Sequence, residues 1–157
     1  MSINGLYHFL AVFCVFSLAL VGGDFIDSVP NGDYAGVGSW QDNFGNTGEY
    51  QAYAEFQSNH LRQDYAWGQA SLTMGFMLQF YAPGKFEVMK EAETIGRGIC
   101  ELNHCQYVVE FNSDRYAESI YYFTSVDGTP YLLKVGQKKV GNREVNWREK
   151  LDKLDIH

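Results

Sequence analysis

Residues 49–57, Glu-Tyr-Gln-Ala-Tyr-Ala-Glu-Phe-Gln, decide the fold class, because apolar and polar side chains alternate along them. Alternation with a period of two is typical of a β-strand that buries one face and leaves the other in water. The segment therefore predicts a sheet packed with one face on a core. The residues on the predicted buried face are Tyr50, Ala52, Ala54 and Phe56.

Turn signals rich in Gly, Asn and Pro separate further short apolar segments on both sides of this strand. Residues 42–48, Asp-Asn-Phe-Gly-Asn-Thr-Gly, predict a hairpin turn to the preceding strand, and residues 82–85, Ala-Pro-Gly-Lys, predict another. Aromatic residues make up 16% of the chain, which favours strands over helices. The predicted strands are residues 34–41, 49–57, 61–65, 67–73, 74–81, 86–91, 96–100, 106–111, 118–124 and 131–135.

The end of the chain has a different apolar period. Trp147, Leu151 and Leu154 are spaced at i, i+4 and i+7, which predicts a short amphipathic C-terminal helix. On this helix Glu149 and Lys153 would share the wet face. So many short antiparallel strands favour a closed barrel, because closure removes the exposed edges of a small sheet.

A resemblance to a known family supports the barrel. Residues 38–40, Gly-Ser-Trp, resemble the Gly-x-Trp signature that opens lipocalins and related calycin barrels. Residues 114–116, Asp-Arg-Tyr, are similar to the later Thr-Asp-Tyr motif of that family, and the helix at Trp147 is similar to its C-terminal helix. The resemblance implies an all-β, antiparallel, up-and-down barrel whose cup binds a small apolar molecule. It also implies a structural role for Trp40, packed across the closed end.

The interior of such a barrel either holds a ligand or is filled by its own side chains. Large and small residues alternate on the second strand, which leaves room for a cavity, whereas the 11 Phe and 11 Tyr of the chain are enough to fill one. Three functions stay open. The first is the binding of a small apolar molecule, the second is a protein-interaction or inhibitor barrel with a filled core, and the third is an enzyme on a barrel scaffold. The residues predicted to line a pocket are Tyr50, Phe56, Phe80 and Tyr121.

The N-terminal segment predicts export. Residues 9–22 are an uncharged, largely apolar run that ends at Gly22-Gly23, which is typical of a secretory signal peptide and short for a membrane-spanning helix. We expect residues 1–23 to be removed and residues 24–157 to form one secreted or periplasmic domain without stable membrane insertion. The alternative is an anchor that stays uncleaved, because residues 1–8 contain no Lys or Arg.

The cysteines agree with an oxidising compartment. Cys14 would leave with the signal peptide, so that Cys100 and Cys105 remain as an even pair separated by four residues. This spacing suits a disulfide across the neck of a tight hairpin. A metal or redox site with the neighbouring His104 is the alternative, but the sequence offers no second cluster of ligands for zinc.

The remaining composition excludes several function classes. The formal net charge of −7 disfavours nucleic acid as a partner. The three histidines beyond the signal segment, His60, His104 and His157, lie in none of the hydrolase or metalloprotease motifs. We therefore expect no catalytic residues, no metal and no cofactor, and we expect a binding protein rather than an enzyme.

Overall fold

A computed structural model describes residues 29–155, and these residues form a closed antiparallel barrel of ten strands. The all-β barrel that the sequence predicts is confirmed. The predicted signal peptide, residues 1–23, lies outside the described residues. The strands are β1 (Gly32–Asp42), β2 (Thr47–Gln57), β3 (His60–Trp67), β4 (Ala70–Ala82), β5 (Lys85–Lys90), β6 (Glu93–Glu101), β7 (His104–Phe111), β8 (Asp114–Thr124), β9 (Pro130–Val140) and β10 (Arg143–Lys153).

Each strand pairs with the next along the chain, and β1 closes the barrel by pairing with β10. At this seam Trp40 lies opposite Trp147, and Tyr34 lies opposite Lys153. Closure pairs the backbone of every strand on both sides, so that no edge is left to template association with another chain.

The predicted C-terminal helix is wrong. Residues 143–153 form β10 instead, and no helix occurs among residues 29–155. A spacing of four between Trp147 and Leu151 fits a strand as well as a helix, because both residues then share one face of the pleat. Glu149, which the helix placed on the wet face, lies between them on the same inward face and is buried. The structure therefore contains no helix of the length and apolarity that a membrane span needs, among residues 29–155.

One end of the barrel, here called the filled end, is packed with apolar side chains. It lies at the start of β1, where Val29 is fully buried and the hydroxyl of Tyr34 donates to the carbonyl oxygen of Pro30 over 2.8 Å. Tyr34 also meets Phe56 edge to face, with ring centroids 5.7 Å apart. Other fully buried residues of this end are Leu61, Leu78, Phe86, Ile120, Leu132 and Leu151.

The predicted disulfide is confirmed and lies at the filled end. Cys100 on β6 and Cys105 on β7 are directly opposite each other, with Cα atoms 4.1 Å apart and the sulfurs bonded. Both half-cystines are buried, so the bridge joins the core as well as the two strands. His104 is not a ligand beside it: its ring stacks on Tyr121 on the outer wall, with centroids 4.3 Å apart.

Candidate functional site

The opposite end of the barrel, here called the open end, contains a cavity of about 530 Å³. It lies between the hairpins β1–β2, β3–β4 and β9–β10. All three tryptophans of the chain line it. The residues around the cavity are Trp40, Gly48, Glu49, Tyr50, Tyr65, Trp67, Leu72, Met74, Tyr116, Lys138, Arg143, Val145, Trp147 and Glu149.

Two of the tryptophans lie flat over glycines of the neighbouring strand. A Cβ atom on Gly48 would come within 2.5 Å of the Trp40 indole nitrogen, and one on Gly136 would come within 2.1 Å of the Trp147 ring. Glycine at these positions lets each indole lie against the backbone and leaves the centre of the cup free. The Trp147 indole nitrogen is buried in this wall without a hydrogen-bond partner among the described residues.

Trp40 therefore lies at the other end of the barrel from the one that the lipocalin resemblance implies. It is half-buried in the wall of the open cavity, six residues along β1 from Tyr34 in the filled end. Six residues of an extended strand cover about 20 Å. Tyr34 and Trp40 therefore lie at opposite ends of the barrel. The Trp in this Gly-x-Trp segment borders the cavity.

Asp42 fixes the rim of the open end. Its Oδ1 accepts the backbone N–H groups of Phe44 and Asn46 at 3.0 and 2.8 Å, and its Oδ2 accepts the side-chain amide of Asn46 at 2.9 Å. Arg143 donates to Oδ2 through Nε and Nη2, both at 3.1 Å. The hydrogen bonds from Asn46, followed by those from the backbone and the charge of Arg143, hold the pKa of Asp42 below its usual value.

Two rim loops are also tied to each other. The side-chain amide of Asn43 donates to the carbonyl oxygen of Asn142 at 2.9 Å, and the backbone N–H of Glu144 donates to Asn43 Oδ1 at 2.9 Å. This pairing holds Arg143 in place, with its guanidinium carbon 5.7 Å from the centre of the Trp40 ring. A cation is thus fixed at the mouth, stacked on an aromatic wall.

An ionic cluster lies at the middle of the barrel, below the cavity, and reaches the cavity lining through Glu149. Lys134, which has no exposed surface, places Nζ 3.0 Å from Glu118 Oε1 and 2.8 Å from Glu149 Oε2. It also donates to the amide oxygen of Gln63, which is equally buried. We call these four residues the central cluster. One ammonium faces two carboxylates, so the cluster carries a formal surplus of negative charge.

Tyrosines surround the central cluster and donate into it. Tyr50 donates to Glu149 Oε1 at 2.7 Å, and Tyr65 donates to the Gln63 amide oxygen at 2.7 Å. Tyr107 and Tyr116 both donate to Glu118, at 2.5 and 3.1 Å. A buried phenol needs a hydrogen-bond partner, and all four of these phenols have one within the protein.

Burial and charge set the protonation states of this region. Burial alone would lower the pKa of Lys134, but the charge of Glu118, reinforced by Tyr65 and Glu149, raises it well above the usual value. Burial, followed by the charge of Glu118, raises the pKa of Tyr107 and of Tyr116 well above the usual value. The lysine is therefore charged and the phenols are neutral at physiological pH.

The structure separates the four residues predicted to line a pocket. Only Tyr50 borders the cavity. Phe56 is fully buried at the filled end, and Phe80 packs there on Phe86 with ring centroids 5.2 Å apart. Tyr121 lies on the outer wall, between His104 and Phe123 in a stacked row. The prediction identified the inward face of β2 but could not distinguish the two ends of the strand.

The central cluster was not predicted, although the sequence contains a signal for it. Glu118, Lys134 and Glu149 each fall in phase with apolar neighbours on their strands: Glu118 with Ile120, and Lys134 with Leu132. A charged residue in the apolar phase of a strand is buried with it, and a buried charge needs a partner. Charges of both signs in phase on three strands predict an internal ion pair.

No group of side chains among the described residues is placed to hold a metal ion. A further concavity of about 610 Å³ lies on the outer wall across β6–β9, where small outward residues such as Ala117 and Ser119 leave a depression. Its lining includes Tyr81, Tyr107 and Glu118 but no tryptophan, whereas all three tryptophans line the cavity at the open end, so the open end is the candidate site.

Comparison with solved structures supports the fold. An S-type phycobiliprotein lyase from Guillardia theta matches with a TM-score of 0.57 and 7% identity, over 81% of this chain and 89% of that one. The fold is that of a lipocalin-like barrel. A protein of unknown function of the DUF3598 family from Nostoc punctiforme matches with a TM-score of 0.56 and 8% identity, over 79% of this chain.

The chain spans about half, 47%, of the length of the Nostoc protein. Lipocalin 12 from rat epididymis matches over 81% of this chain with 14% identity and a TM-score of 0.37. Only the two matches with TM-scores above 0.5 bear on the fold, and at these identities they show the fold alone. No protein-family model and no curated protein matches the sequence.

Proposed function

We propose that this protein binds one small, largely apolar, ring-bearing molecule in the open end of its barrel. The observation that carries the proposal is the cavity of about 530 Å³ with three tryptophans in its lining. A volume of this size is typical of small-molecule sites, which are lined mainly by apolar and aromatic side chains with a few fixed polar groups. Here the fixed polar groups are the Tyr50–Glu149 pair in the floor and Arg143 at the rim.

The proposed function is binding without catalysis, although one structural neighbour is named a lyase. A nucleophilic lysine must lose its proton, whereas Lys134 is held charged by Glu118 and Glu149. The carboxylates and phenols of the floor are likewise committed to one another by hydrogen bonds. We therefore assign the central cluster the role of a rigid floor.

The site of action that we propose is secreted or periplasmic. The apolar run at residues 9–22 and the Cys100–Cys105 bridge both support it, because disulfides persist in oxidising compartments. N-terminal sequencing of the exported protein should give a start at or near Asp24. An intact Met1 in the membrane fraction would favour the uncleaved anchor instead.

The test of binding is a titration with the neutral dye N-phenylnaphthylamine, whose fluorescence rises in an apolar site. We expect saturable binding with about one dye per protein. Val145→Trp should abolish it, because Val145 lines the cavity and the larger ring would occupy the space. Val37→Trp is the matched control, since Val37 is 58% exposed on the outer face of β1. Equal dye binding by both variants would contradict the proposed site.

A further inference from the structure

The floor of the cavity has no proton left to donate. Tyr50, Tyr65 and Tyr116 border the cavity, and each hydroxyl proton is already directed at an acceptor in the central cluster. A tyrosine hydroxyl has one proton to give but retains lone pairs. The floor therefore offers acceptors to a ligand: the phenol oxygens and the unfilled lone pair of Glu149 Oε1.

The protons of Lys134 are also committed. Its ammonium group has three, and it contacts Glu118, Glu149 and Gln63, with the hydroxyl oxygen of Tyr65 farther away at 3.5 Å. The formal negative surplus of the central cluster is consequently not offset by a free donor within the floor, since the unpartnered indole N–H of Trp147 belongs to the wall. A group that donates a hydrogen bond, such as a hydroxyl or N–H, fits this floor better than an acceptor does.

The rim has the opposite character. Arg143 uses Nε and Nη2 on Asp42, which leaves Nη1 for another acceptor, and Lys138 makes no ion pair among the residues that the structure describes. Both belong to the inward phase of their strands and border the mouth. Glu49 is also close, but it is exposed and follows the outward phase of β2.

We propose that the cavity selects ligands by polarity along its axis: a flat apolar body between the tryptophans, a hydrogen-bond donor at the inner end and an anionic group at the mouth. This inference rests on the proposed function and specifies the ligand class of the same site. The inner donor meets Glu149 and the phenol oxygens, and the outer anion meets Lys138 and Arg143.

Three naphthalene compounds of nearly equal size test the polarity on the wild-type protein, with binding followed by quenching of tryptophan fluorescence. The first is a naphthoic acid with a hydroxyl group at the far end of the ring system. The second is its methyl ether, which lacks the donor, and the third is its methyl ester, which lacks the charge.

We expect the ether to bind about tenfold more weakly than the acid, because a hydrogen bond to a charged group is lost. The ester should bind about threefold to fivefold more weakly, since the rim is solvated.

Two lysine variants locate the anionic contact. Lys138→Gln should remove most of the difference between acid and ester, whereas Lys139→Gln should leave it unchanged. The two lysines are adjacent and both exposed, but Lys139 points outward and pairs with Glu144 at 3.4 Å. Each variant therefore loses one positive charge. The two variants differ in whether the lost charge faced the mouth of the cavity or the outer surface of the barrel.

The outcomes separate the two proposals. Equal affinity for the acid and its methyl ether, or an equal effect of the two lysine variants, would overturn the polarity and leave the binding function standing. Binding of none of the three compounds, together with failure of the neutral dye, would overturn the binding function and the polarity with it.

Discussion

The two ends of this barrel are built from the same ten strands and are both rich in aromatic residues, yet one is filled and the other is open. The two ends differ in which part of the chain packs on them. Val29 and Pro30, shortly before β1, pack on the filled end, where Val29 is fully buried and the carbonyl oxygen of Pro30 accepts the hydrogen bond from Tyr34. Among the described residues only hairpin turns border the open end. The aromatic content of a barrel therefore does not decide whether it holds a cavity, whereas a segment that covers the end does.

The central cluster divides the two ends, and its removal should have the largest effect. Lys134→Met leaves Glu118 and Glu149 buried without their cation, so the free energy of unfolding should fall by about 3–5 kcal/mol. Urea unfolding of the variant and of the wild type measures this loss of unfolding free energy. A loss below about 1 kcal/mol would mean that the cluster is solvated rather than buried.

The same variant should gain a dependence of stability on pH between about pH 5 and pH 8, a range in which Lys134 contributes none in the wild type. The folded pKa of Lys134 is raised, so its contribution is complete below the ordinary value of 10.5 and is lost only as pH rises through the folded value. Without the ammonium, the folded protein holds two buried carboxyl groups with no cation beside them, and burial penalises their charged forms as pH rises. Lys134→Met should be more stable at about pH 5 than at about pH 8, relative to wild type.

Truncation of one aromatic residue at each end compares the ends directly. Phe86→Ala at the filled end should cost about 3–5 kcal/mol of unfolding free energy, because Phe86 is fully buried against Phe80 and Gly98. Trp67→Ala at the open end should cost less than about 1 kcal/mol, since Trp67 is 47% exposed. Similar losses for the two variants would contradict the division into a filled and an open end.

The disulfide should have an effect on stability between those of the two aromatic truncations. Replacing Cys100 and Cys105 together by Ala removes a short closed loop, which should lower the unfolding free energy by about 2 kcal/mol. The bridge lies at the filled end, so dye binding at the open end should be unchanged. A loss of dye binding in this variant would show that the two ends are coupled.

The strand pattern of the fold was predictable from local sequence, because alternation and turn residues act over a few positions. The prediction for the C-terminal segment failed because the spacing of Trp147 and Leu151 fits the period of a helix as well as that of a strand. Only the pairing of this segment with β1 and β9 selects the strand. Residues 67–73 and 74–81, predicted as two strands, form most of one strand, because the turn falls at Gly68 before β4.

The candidate site was less predictable than the fold. Tyr50 and Phe56 share one face of β2, and nothing local shows that they belong to opposite ends of the barrel. That distinction depends on the register of all ten strands and on the segment that covers one end. The central cluster joins β3 to the three last strands, and its Gln63 is 71 residues away from Lys134 in the sequence.

The three tryptophans provide the most direct test of the open end as the binding site, because they are the only ones in the chain and all border the cavity. The measurement is a nuclear magnetic resonance titration of the ¹⁵N-labelled protein with the hydroxyl-bearing naphthoic acid. We predict that the three indole N–H signals shift together and saturate, while the backbone signals of Phe56 and Ile120 at the filled end stay in place. Saturating shifts at the filled end or on the outer wall, with the indole signals unmoved, would contradict the account.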